Sequence, residues 1–124
     1  MGLNLSICEG QFTIHRLSPN TKIPDIIYDS PFYSISKTNE ELSIVCSSTI
    51  QLDSERAETG WSCIKITGPL DFTLTGILAS ITAPLADAGI PVFAISSYDT
   101  DYILVKGNDR RAARRVLSER FAVS

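Results

Sequence analysis

The feature that most restricts the fold is the order in which the hydropathy period changes after residue 60. Ser62 to Thr67 alternates, with Ile64 and Ile66 on one face, and stops at Gly68-Pro69. From Thr75 to Ala88 the apolar residues Ile77, Leu78, Ile81, Leu85 and Ala88 fall at i, i+1, i+4, i+8 and i+11, which is one face of a helix. Gly89 offers a helix stop and Pro91 stands beyond it. Pro84 removes a backbone donor inside that helix, which predicts a kink or a helix in two pieces. Val92 to Ser96 and Tyr102 to Val105 then form a strand pair around Tyr98-Asp99-Thr100-Asp101. A second helix is expected from about Asn108 to Arg120, capped by Asn108 or Asp109, with Ala112, Ala113, Val116 and Leu117 as its buried stripe. Residues 121–124 close the series as a short strand. This is the βαββαβ order of a ferredoxin-like α+β fold, with an antiparallel sheet and helices on one face.

A reduced version precedes it. Phe12 to Leu17 is strand-like, Ile23 to Tyr28 has room for one short helix, and Phe32–Ser36 and Leu42–Cys46 flank the polar Lys37 to Glu41. At an offset of 60, Phe32 to Val45 can be laid on Val92 to Val105, with Ile35/Ile95, Ser36/Ser96 and Val45/Val105 identical. At an offset of 50, Ile14 to Pro19 can be laid on Ile64 to Pro69. Leu3, Leu5 and Ile7 alternate with Asn4, Ser6 and Cys8, so an N-terminal strand is expected; it can supply the missing edge of the first half, a placement the sequence leaves open. The polar stretch Thr49 to Gly60 marks the boundary. The expected division is a degenerate unit over 1–50, a linker over 51–60 and a complete unit over 61–124.

Composition excludes several classes. The chain has 124 residues and 13.6 kDa, enough for one compact domain or two very small ones. Hydrophobic residues make up 44% and charged residues 20%, which argues against disorder. A net charge of −3 argues against a dedicated nucleic-acid binder. No apolar run approaches the ~20 residues of a membrane helix. Arg110, Arg111, Arg114 and Arg115 cluster on the second helix; in an acidic chain they read as a solvated face rather than a phosphate site. Cys8, Cys46 and Cys63 form no C-x-x-C pair and are expected as free thiols in a cytoplasmic protein. A single histidine, His15, excludes His-rich metal sites, and no metal ligand set is expected. The start of the chain fits both a short myristoylation pattern and, at Asn4-Leu5-Ser6, a glycosylation sequon, but it reads as strand and lacks the charged and apolar regions of a secretory leader. No nucleophile stands with a matched base. Cys63 and His15 both lie in strand patterns, and no phosphate-cradling loop supports a small ferredoxin-like hydrolase.

Trp61 to Ile81 (WSCIKITGPLDFTLTGILASI) resembles the first strand, ligand loop and first helix of ACT modules. Ile95 to Val105 (ISSYDTDYILV) resembles a signature of a subgroup with two ACT-like units per chain, related to CASTOR-type arginine sensors and aspartate-kinase regulatory domains. The resemblance implies a non-catalytic module, without cofactor, that binds an amino acid or similar metabolite and works as a homodimer. It places the ligand on a loop containing Gly68, Asp71, Phe72, Thr75, Gly76 and Ile77. It places Ser96, Ser97, Tyr98, Asp99, Thr100 and Asp101 opposite, at the end of the second strand.

The same residues have readings of their own. The loop runs into a helix N-terminus, whose N–H groups suit a carboxylate. Thr73 or Thr75 can instead cap that helix, and Gly76 permits a close backbone approach. Asp71, Asp99 and Asp101 can hold a ligand cation, or serve as turn formers. Trp61, Tyr98 and Tyr102 can wall a pocket or fill the space between sheet and helices. Two functions of different class follow: an amino-acid sensing module, and a structural dimerisation module whose site is empty.

Overall fold

The computed structural model describes residues 3–67 and 75–124. The chain forms two compact units, one of residues 1–9 with 62–124 and one of residues 10–61.

The first unit contains β1 (Asn4–Ile7) and the last part of β5 (Arg56–Ile66). They are followed by α1 (Ile77–Asp87), β6 (Val92–Ser96), β7 (Asp101–Lys106), α2 (Arg110–Ser118) and β8 (Ala122–Val123). The strand order is β6-β7-β5-β1-β8. A ferredoxin-like sheet would set β8 directly against β5; here β1 stands between them, antiparallel to β5 and parallel to β8. Both helices cover one face. Ile81 and Leu85 of α1 and Ala113 and Leu117 of α2 pack with Leu5, Ile64, Ile66, Ile103 and Val105 from the strands.

The helices keep to the apolar periods, with adjusted ends. α1 begins at Ile77 because Gly76, at φ +75°, takes the left-handed conformation that a side chain disfavours. Pro84 lies buried inside a single α1 rather than dividing it. α2 is shorter than the expected 108–120: Gly107–Asp109 forms a 3-10 turn before it, and no side chain caps it at Asp109. Arg110, Arg111, Arg114 and Arg115 are exposed on it, the solvated face the acidic chain suggested.

The other unit contains β2 (Phe12–Leu17), a 3-10 turn at Asp25–Asp29, β3 (Ser34–Lys37), β4 (Leu42–Ser47) and the first part of β5. Its strand order, β3-β4-β2-β5, is the ferredoxin-like order with both helices reduced. Leu17, Ile27, Leu42, Ile44, Cys46 and Ile50 form its core.

Three sequence expectations are corrected. The N-terminal strand does not complete the first half; it pairs with β5 and β8 in the later one. Arg56 to Gly60, though polar, are strand rather than linker, because Arg56, Ala57 and Glu58 pair with Arg16, His15 and Ile14 of β2. The repeat is also offset by 59, not 60. Lys37 pairs with Leu42 as Ser96 pairs with Asp101, so Ile44 corresponds to Ile103, and both face their cores. A one-residue slip exchanges the two faces of a strand, which makes the Val45/Val105 identity accidental.

His15 is 5% exposed; its Nδ1 lies 3.0 Å from Ser54 Oγ, and its buried Nε2 has no hydrogen-bond partner among the described residues. Burial lowers its pKa below 6.5, since a proton there would place charge in a dry site. The unfolded chain therefore takes up this proton first as pH falls. The contribution to stability is complete above the ordinary value of 6.5 and is lost below it. Thermal unfolding from about pH 8 to pH 5 should show wild type losing more Tm than His15→Gln, which carries no titrating ring. Parallel profiles would show that burial does not perturb His15.

Candidate functional site

Two segments of the first unit meet at the C-terminal end of β5. One is the turn between β6 and β7, which is tightly specified. Ser97 N–H donates to the Thr100 carbonyl at 2.8 Å, and Ser97 Oγ donates to the same carbonyl at 3.0 Å. Thr100 N–H donates back to Ser97 Oγ at 3.3 Å. A serine and a threonine three residues apart thus close a four-residue hairpin loop.

The other segment is the end of β5 itself. The Thr100 hydroxyl, 4% exposed, donates to the carbonyl of Ile66, the last residue of that strand. This buried bond holds the β6–β7 turn against the point where the chain leaves the sheet for the loop before α1. Thr67 N–H donates to the Asn4 carbonyl at 2.8 Å, so β1 holds the same point from the other side.

The structure brings some expected site residues together and separates others. Ser96 and Asp101 face each other across β6 and β7, and the Ser96 hydroxyl donates to the Asp101 carboxylate. Asp101 is half-buried, while Ser96, Ser97 and Asp99 are exposed, and Tyr98 is 80% exposed at the tip. Asp99 lies in the turn, outside the strand that begins at Asp101, so the two acids do not form an alternating strand pair. Thr75 and Gly76 are exposed and Ile77 is half-buried at the start of α1. Gly76 occupies the cap position and has no side chain with which to cap. The first turn of any helix directs N–H groups outward without intrahelical acceptors. Gly68, Asp71 and Phe72, with Pro69, Leu70, Thr73 and Leu74, lie outside the described residues.

The sequence places Thr100 in the facing segment but gives its hydroxyl no role. Its signal was the Ser97–Thr100 spacing, which places a second hydroxyl at the closing position of a hairpin.

Tyr102 pairs with Ile95, one step further from the turn than the Ser96–Asp101 pair. Trp61, 8% exposed, precedes the part of β5 that belongs to this unit. Among the described residues no group of three metal-ligating side chains assembles, and no helix is long and apolar enough to cross a membrane.

A family model for the ACT domain matches residues 56–119, from the first residue of β5 to just past α2. The chain belongs to the ACT domain family. A second model, for an N-terminal domain, matches residues 10–50. The chain is 31% identical over 105 residues to putative protein CASTOR3P of Homo sapiens, a match covering 74% of this chain and 64% of that protein. It is 32% identical over 99 residues to the cytosolic arginine sensor for mTORC1 subunit 1 of Mus musculus, covering 73% of this chain but 30% of the sensor. The chain thus spans less than two thirds of the first relative and under a third of the second.

Protein Atu0741 from Agobacterium tumefaciens has the same fold over 100% of this chain and 93% of its own, with a TM-score of 0.91 and 37% identity. The ligand-free regulatory subunit of aspartate kinase from Thermus thermophilus covers 96% of this chain and 98% of its own at a TM-score of 0.67. At 9% identity that likeness is one of fold alone.

Removing the Thr100 hydroxyl while keeping its shape isolates the bond to Ile66. Thr100→Val should destabilise by about 1–3 kcal/mol, because a buried carbonyl loses a donor. Thr100→Ser should stay close to wild type. Denaturant unfolding reads both, and a Thr100→Val change within about 0.5 kcal/mol of wild type would contradict the role assigned to this bond.

Proposed function

We propose that the chain is a non-catalytic regulatory module of ACT type, which binds a free amino acid between the 68–77 loop and the β6–β7 turn. The observation supporting this reading is the buried hydrogen bond from Thr100 to Ile66, which holds the β6–β7 turn at the C-terminal end of β5. The named relatives supply the class of ligand, since one is a cytosolic arginine sensor. The N-terminal turn of α1, at Ile77, takes the ligand carboxylate. Gly76 lets the ligand approach the backbone, and Ser96, Ser97 and Tyr98 border it on the turn. Gly68, Asp71 and Phe72 complete the loop side. Asp101 holds the ligand cation, exchanging its bond from Ser96 for a charge-assisted one; Asp99 is the exposed alternative.

The test begins with thermal shift against the twenty amino acids, arginine included. A ligand at 100 times its Kd adds about 2.7 kcal/mol of stability. Calorimetric titration then compares wild type with Asp101→Asn, which keeps the shape and removes the charge. Loss of a charge-assisted bond should weaken binding roughly ten- to a hundred-fold. Equal affinities would reject Asp101 as the cation holder. No response to any amino acid would favour the structural dimerisation module instead.

The same proposal includes a symmetric homodimer in the cytoplasm. β6 and β8 end the strand order of the first unit and β3 ends that of the other, and such edges invite pairing. Sedimentation at tens of micromolar, roughly the range where weak dimers assemble, should show twice the 13.6 kDa chain mass. A single species at the chain mass would overturn the dimer.

A further inference from the structure

Cys8 and Cys63 lie far apart in sequence but directly opposite one another in the first unit. The register Leu5↔Ile66, Ser6↔Lys65, Ile7↔Ile64 continues to Cys8↔Cys63, and Cys8 N–H donates to the Cys63 carbonyl at 2.9 Å. Leu5, Ile7, Ile64 and Ile66 face the helices. The alternation therefore sets both thiols on the opposite face of the sheet, beside Ser6 and Lys65. Hydrogen-bonded antiparallel partners have Cα atoms about 5.5 Å apart, inside the span of roughly 4.4–6.8 Å that a disulfide bridges. Cys8 is half-buried and open to small solutes, Cys63 is 0% exposed, and their thiols hydrogen-bond to each other.

We propose that Cys8 and Cys63 form a hydroperoxide-oxidisable dithiol, in which half-buried Cys8 is oxidised first and buried Cys63 resolves it into an intrachain disulfide. In the first step the Cys8 thiolate attacks the peroxide oxygen. An S–O bond forms, the O–O bond breaks, and the departing alkoxide or hydroxide takes a proton from water. In the second step Cys63 sulfur displaces the oxygen of the Cys8 sulfenic acid. An S–S bond forms, and the Cys63 proton leaves with the hydroxide as water. Two thiols are oxidised by two electrons, and one hydroperoxide is reduced to an alcohol, or to water from hydrogen peroxide, plus one further water.

The electrostatics support this division of roles. The hydrogen bond from Cys63 lowers the Cys8 thiol from 9.0 to about 7, aided by Lys65 and opposed by burial. The same hydrogen bond, with burial and the Cys8 charge, pushes Cys63 up, so it keeps the proton it gives to the leaving oxygen. Cys46 is buried in the other unit, and desolvation raises its thiol.

The experiment treats fully reduced full-length chain with a small excess of hydrogen peroxide at neutral pH, quenches it, and counts thiols under denaturing, non-reducing conditions. The three free thiols should fall to one, with the intact mass lower by two hydrogens and peptides containing Cys8 and Cys63 joined. Cys46→Ser should fall from two thiols to none. Cys8→Ser should lose no pair, and Cys63→Ala should leave a Cys8 sulfenic acid that a dimedone probe traps. The half-exposed Cys8 variant keeps the test decisive if the buried Cys63 variant fails to fold. A disulfide that includes Cys46, a disulfide between chains, or retention of all three thiols while free glutathione in the same tube is oxidised would overturn the proposal.

Discussion

The hydrogen bond from the Thr100 hydroxyl to the Ile66 carbonyl is the small interaction on which the placement of the β6–β7 turn depends. Ile66 is the last residue of the central strand of its unit, and its side chain lies fully buried under α1 and α2. Its backbone carbonyl meets the turn that joins β6 to β7. A residue anchored by its side chain in the core thus also fixes the turn that faces it. Inward burial supplies the rigidity, at roughly 1.5–3 kcal/mol for a fully buried isoleucine, while one buried hydroxyl supplies the direction. Substituting the hydroxyl should loosen the turn long before it disturbs the sheet.

Strand β5 has two different sequence characters for a physical reason. From Trp61 to Ile66 every residue except Lys65 is buried. From Arg56 to Thr59 every residue is exposed, yet the backbone still pairs with β2. Side-chain alternation reports burial, not pairing. A strand held only by its ladder hydrogen bonds therefore reads as a polar linker, and Arg56 to Gly60 did so.

The elements with one clean apolar face were legible: Ile77 to Leu85 as a helix, Val92 to Ser96 and Tyr102 to Val105 as a hairpin, and Leu42 to Cys46 as a strand. Their order alone points to the ferredoxin-like class. Long-range choices were not legible. Leu3, Leu5 and Ile7 mark a strand, but nothing in their pattern says which unit receives it; that is decided where Leu5 fits beside Ile66. The repeat offset is set by core-facing residues such as Ile44 and Ile103, not by the identical pairs that suggest 60. For the site, Ser96 and Asp101 were legible as neighbours across a turn. Thr100 was not, because its role is a contact with a strand 34 positions away. The same holds for Cys8 and Cys63, which only the register of β1 on β5 brings face to face.

The central proposal is that one ligand locus is shared by the start of α1 and the β6–β7 turn. The most direct measurement is a two-dimensional amide NMR titration of the isotopically labelled chain with an amino acid that stabilises it. The account predicts that the largest shifts fall on residues 75–79 and 96–101, with smaller ones at Ile66 and Thr67 and none clustered within 10–55. Shifts concentrated in the 10–55 region, with the amides of Ile77 and Asp101 unmoved, would contradict it.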